Sequence, residues 1–95
     1  MIYVLGKVAI ADLPQFVSVF ATVGAEARKR HGSRSCELFR IREEANRVVV
    51  LFEWESPEAF QAFLEDARVK ETMKSSGTMG PPEFTLLDKV ATFPS

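Results

Sequence analysis

The chain has 95 residues, with 12 basic side chains, 13 acidic ones and a single cysteine. A balance so near neutrality supplies no field to hold nucleic acid or an anionic membrane, and no apolar run reaches the ~20 residues of a membrane span. One domain spanning 1–95 buries only about 60–65% of its unfolded surface, so a partner subunit is a natural supplement to its core.

Residues 1–10 alternate, with Ile2, Val4, Gly6, Val8 and Ile10 on one face and Tyr3, Leu5, Lys7 and Ala9 on the other. That period marks the first strand. No basic leader precedes it, and the lone Cys36 suits a reducing compartment, so the cytoplasm is the expected location. Asp12 then caps a helix, with Gln15 placed as the reciprocal partner of a capping box and Pro14 in the first turn. Phe16, Phe20, Val23, Gly24 and Ala27 recur at helical steps and predict one continuous helix ending at His31-Gly32. Residues 35–41 read as a polar edge strand. A turn at Glu43-Glu44-Ala45-Asn46 follows, with Asn46 suited to positive φ.

Val48 to Phe52 is an unbroken β-branched, aliphatic and aromatic run, as a central strand requires. It leads through Trp54 into Ser56-Pro57-Glu58, an N-cap, a first-turn proline and an acid that complements the helix dipole. Ala59, Phe60, Phe63, Leu64 and Ala67 form the buried stripe of that helix. The stripe loses phase at Arg68-Val69, which predicts a kink or a separate short helix through Met73. Residues 74–82, rich in Ser, Gly and Pro, read as a loop, and residues 83–93 as the last strand. The order β-α-β-β-α-β is the ferredoxin-like α+β arrangement, a four-stranded antiparallel sheet with helices on one face.

Strands one and three are apolar on both faces, yet one chain's helices can cover only one. The remaining face, carrying Leu5, Val49 and Leu51, is expected to pack on its equivalent in a two-fold homodimer.

The passage Trp54-Glu55-Ser56-Pro57-Glu58-Ala59-Phe60 is similar to the W-x-D-x-x-A-L passage of the antibiotic biosynthesis monooxygenase-like family of dimeric α+β barrels. Arg68-Val69-Lys70-Glu71 resembles that family's second short helix. The resemblance implies the same fold and, in its enzymatic members, cofactor-free oxygenation of polycyclic phenols and quinols or degradation of haem. Two positions depart from the pattern. Phe52 stands where an acidic residue often precedes the tryptophan, and Phe63 where a histidine often follows the alanine. Without that histidine, haem ligation and imidazole-assisted chemistry lose their side chain.

The expected site is an apolar pocket between sheet and helices, edged by Trp54, Phe20, Phe63 and the loop near Met79, and suited to a small aromatic ligand. Trp54 either borders that pocket or anchors the core at a strand end. His31 reads as a helix-terminal complement to the dipole and Cys36 as a small buried hydrophobe. The group Arg28-Lys29-Arg30 with Arg34 is either an anion site or a solvated helix end. No metal-ligand spacing, phosphate loop or nucleophile elbow occurs, so no metal, flavin or haem is expected. Three functions stay open: a cofactor-free monooxygenase, a binding module for an aromatic metabolite, and a structural dimer with a filled core.

Overall fold

The computed structural model describes residues 1–95 as strands β1 (Ile2–Ile10), β2 (Ser33–Arg40), β3 (Arg47–Trp54) and β4 (Thr78–Leu87) with four helices. Helices α1 (Leu13–Ala21) and α2 (Val23–His31) follow β1, and α3 (Pro57–Glu65) and α4 (Ala67–Ser75) follow β3. The antiparallel sheet runs β2-β3-β1-β4. The two most apolar strands are thus its adjacent centre, as their composition predicts. No helix is long and apolar enough to cross a membrane.

Central pairing sets Val4 opposite Phe52 and Val8 opposite Val48, so the even-numbered residues of both strands share the helix-covered face. Val4 and Trp54 are wholly buried there with Phe60, Phe63 and Val69 packed over them from α3 and α4, and Val48 is wholly buried in a second cluster with Val8, Ile10 and Phe16 of α1. Odd-numbered residues lie on the opposite face, where Leu5, Val49 and Leu51 remain half-buried.

The capping signals act as the sequence indicates, except that Gln15 does not close the box on Asp12: its side-chain amide donates to the Ser75 carbonyl at 2.9 Å. The Asp12 carboxylate accepts from the Gln15 amide at 2.9 Å, the Ser56 hydroxyl from the Ala59 amide at 3.0 Å, and Gly32 closes α2 at φ 94°. Asp66 accepts from the Arg68 amide at 2.8 Å and starts α4, the separate short helix expected beyond Arg68.

Three boundaries correct the sequence reading. The first helix is broken in two at Thr22. Its hydroxyl donates to the Ser18 carbonyl at 2.8 Å, the acceptor its own amide would use in a continuous helix, and the amide turns instead to Val19. Val23, placed on the buried stripe, is consequently 53% exposed. Asn46 does not adopt positive φ; its carbonyl accepts from the Ile10 amide and ties the turn to β1.

The last strand starts at Thr78, inside the expected loop, and ends at Leu87 rather than residue 93. Glycine and proline are accommodated because β4 is an edge strand and bulges where they pass. Lys7 pairs with Glu83 and Ala9 with Met79, so Gly80-Pro81-Pro82 oppose Val8 alone, and Gly80 takes φ 72°. Beyond Leu87 the chain has no regular structure, and Val90 and Phe93 are almost fully exposed.

Candidate functional site

A cavity of about 70 Å³ lies between the sheet and its helices. Its floor is Val50 and Phe52 of β3, with Phe84 of β4 beside them. Gly6 of β1 makes room for Phe84, since a Cβ there would stand 2.9 Å from the ring. Phe16 and Phe20 of α1, stacked 5.4 Å apart, form the roof with Gly24 and Arg28 of α2, and Phe63, Val69 and Met73 close the far side. Eleven of the sixteen lining residues are hydrophobic, so the space favours an apolar body.

Few lining groups are polar. The Ser76 hydroxyl donates to the Met73 carbonyl at 2.6 Å and lies 3.0 Å from the Thr78 hydroxyl. Arg28 is the one charged residue of the lining. Its guanidinium lies 3.9 Å from the centroid of the Phe20 ring, and burial pulls its pKa below the ordinary arginine value. Cys36 lies within electrostatic reach of it; burial pushes that thiol's pKa up, against the opposing pull of Arg28. Neither a carboxylate nor an imidazole lines the cavity.

Of the four residues expected at the pocket, Phe20 and Phe63 line the cavity and the other two do not. Trp54 is fully buried, behind Phe63 at a centroid distance of 4.9 Å and beside Phe52 at 5.8 Å. Its indole N–H has no partner. The alternation that buries Val50 and Phe52 carries Trp54 past the cavity and under α3, as a core anchor. Met79 pairs with Ala9 and so belongs to the opposite face of the sheet, 57% exposed; its neighbour Thr78 lines the cavity instead.

His31 is drawn into a different set of contacts. Its Nε2 lies 2.8 Å from the Asp66 carboxylate, which also accepts from Arg30 at 3.1 Å. With the Arg68 amide these partners hold the Asp66 pKa well below the usual carboxylate range, His31 contributing most. The group fastens the end of α2 to the start of α4. No three His, Cys, Asp or Glu side chains converge into a metal-ligating cluster.

Arg28, Thr72 and Ser76 are lining residues that sequence reasoning missed. Arg28 had a signal: Phe20, Gly24 and Arg28 continue one helical row at four-residue steps. Its neighbours Lys29 and Arg30 disguise it as part of a solvated basic run.

On the other sheet face, Leu5, Val49 and Leu51 lie together with Phe39, Tyr3 and Leu87. Tyr3 sits opposite Glu53, which raises the phenol's pKa by hydrogen bonding first and by charge second. Residues 88–91 and Phe93 run along this face, and with Tyr3, Leu51 and Leu87 bound a shallow groove.

Among curated proteins none matches this chain. Solved structures share its fold throughout. SnoaB, a cofactor-independent oxygenase from Streptomyces nogalater, is 22% identical, with 99% of this chain and 97% of that one covered at a TM-score of 0.77. A conserved protein from Methanosarcina mazei Go1 is 17% identical over 94% of this chain and 92% of its own, with a TM-score of 0.72. A structure described as an antibiotic biosynthesis monooxygenase is 14% identical over 96% and 100%, with a TM-score of 0.73. Residues 1–75, which hold every element but β4, match the model of the antibiotic biosynthesis monooxygenase family, and to that family this chain belongs.

Proposed function

We propose that this protein is a cofactor-independent monooxygenase that takes a small aromatic or quinol-type metabolite into the cavity beneath α1 and α2. The observation that carries the reading is the apolar, partly open space between sheet and helices in an antibiotic biosynthesis monooxygenase fold. Oxygenation of an activated methylene balances without a bound redox group. The substrate gives up a C–H proton, its carbanion reduces and bonds oxygen, and the hydroperoxide loses water to leave a ketone (R2CH2 + O2 → R2CO + H2O). With no carboxylate or imidazole on the walls, proton loss draws on the substrate's own acidity and the polarity of the cavity.

That same scarcity of acid–base groups favours a second reading, a module that binds such a metabolite without converting it. Oxygen uptake and Trp54 fluorescence, followed as anthrones, quinols and dihydroxynaphthalenes are added to metal-stripped protein, separate the two. Uptake supports the monooxygenase, and quenching alone supports the module. Silence in both assays across the panel removes both and leaves a structural dimer.

The working unit in this proposal is a homodimer joined through Leu5, Val49 and Leu51. A bare apolar sheet face is larger than monomers usually leave in water. The lone, half-buried thiol of Cys36 suits a reducing compartment such as the cytoplasm.

A further inference from the structure

We propose that Arg28 reads an oxyanion on the ligand, so that the cavity takes a flat aromatic body bearing one phenolate or carboxylate in preference to its neutral counterpart. The inference rests on the cavity being the ligand site, and three observations carry it beyond that.

The first is isolation away from water. Arg30 pairs with Asp66, Arg34 with Glu55 and Arg47 with Glu44; Arg28 has no carboxylate within ion-pair distance and, unlike the equally unpaired Arg40, Arg42 and Arg68, is not exposed. Cys36 is no counter-ion, because burial favours its neutral thiol. The second is placement. Arg28 alone brings charge to an otherwise uncharged lining, and its half-buried side chain leaves the guanidinium only partly hydrated. A cation partly stripped of water and lacking a partner is stabilised by any anion that docks on it, and the guanidinium fork suits two oxygens at once.

The third is preorganisation. The guanidinium lies over the Phe20 ring and folds back across Gly24, where a Cβ would stand 3.1 Å from the Val19 carbonyl and 3.2 Å from the Arg28 Nη1. Glycine is a poor helix former in a helix as short as α2. Its bare Cα nevertheless lets the guanidinium settle against the roof and stay aimed at the cavity. A solvated member of a basic run needs none of these features.

Calorimetric titration with 2-naphthoate and its neutral isostere 2-naphthamide tests the assignment. In the parent protein the naphthoate should bind at least about tenfold tighter, and added salt should erode that preference. Arg28→Met, which keeps the apolar stem, should weaken naphthoate by about tenfold or more and leave naphthamide within about twofold. Arg28→Lys should restore part of the preference. Equal affinity for the two probes in the parent protein overturns the role of Arg28 and leaves the cavity reading intact, and needs no variant to fold. Equal loss of both probes in Arg28→Met overturns it too, by showing a residue that only covers Phe20. Binding of neither probe overturns the cavity reading and this inference together.

Discussion

The two faces of the β1–β3 pair are built from the same backbone and meet opposite fates. On the even-numbered face, Val4, Val48 and Trp54 are 0% exposed beneath helices. On the odd-numbered face, Leu5, Val49 and Leu51 are half-buried, and Phe39 beside them is 50% exposed. Strand alternation accounts for only half of that contrast. It decides which side a residue faces, while covering that side depends on how many helices the chain can supply. Here both αα units lie on one side, so the other face is left for a second copy to cover in the proposed dimer.

Hollowing the covered face should have the largest effect. Trp54→Ala is expected to lower unfolding free energy by about 3–5 kcal/mol, measured as a shift of the urea midpoint at unchanged slope. Trp54→Phe should cost much less, because the indole N–H it removes is buried without a partner. If the two variants are equally destabilised, packing around the ring does not dominate.

The open face should respond in assembly and hardly in folding. Leu51→Asp is expected to yield monomers by light scattering, since an unpaired charge buried between two sheets costs about 3–5 kcal/mol. The folded monomer should lose far less, because this position keeps contact with water. A parent protein already monomeric at micromolar concentration would remove the second copy from this account.

A milder probe tests the cavity floor. Gly6→Ala places a Cβ 2.9 Å from Phe84 and should push that ring into the cavity, at a cost of about 1 kcal/mol. Loss of ligand binding with the fold retained, read by calorimetry and circular dichroism, is the expected outcome.

The smallest effect belongs to Asp66. Its folded-state pKa is depressed, chiefly by His31, so its contribution to stability is present above the unfolded value of about 3.9 and fades as pH falls below it. The gap in urea midpoint between the parent protein and Asp66→Asn should be open at pH 6 and narrow steadily below about pH 4. A gap that stays constant down to pH 2 would contradict this linkage.

What was legible in the sequence follows from which forces act locally. Strand order, the covered face and the caps at Asp12 and Ser56 all rest on period-two alternation or short-range hydrogen bonds, and these are written in neighbouring residues. The break at Thr22 was hidden because one hydroxyl bond to Ser18 outweighs an otherwise persuasive helical stripe. The start of β4 was hidden because Gly80-Pro81-Pro82 looks like a loop until β1 offers an edge on which a bulge can form. Phe20 and Phe63 could be placed near the cavity from helix periodicity. Met79 could not be placed, because its face depends on a register that this bulge resets by three-dimensional pairing. Arg28 was obscured by two charged neighbours with different partners.

The interruption at Thr22 also bears on how the proposed ligand would enter. A space of about 70 Å³ is smaller than the ~150 Å³ cavity that holds a benzene ring, so an aromatic guest requires the roof to lift. That roof consists of two nine-residue helices, each below the ~12–15 residues at which an isolated helix becomes even marginal in water. They keep their shape only while packed, so lifting either of them costs the packing that holds it. Measured affinity becomes the product of intrinsic fit and the fraction of molecules caught open. An open fraction of roughly one in a hundred weakens the observed Kd about a hundredfold. Thr22, which is not among the lining residues, then influences occupancy of the proposed site through the junction it makes between α1 and α2.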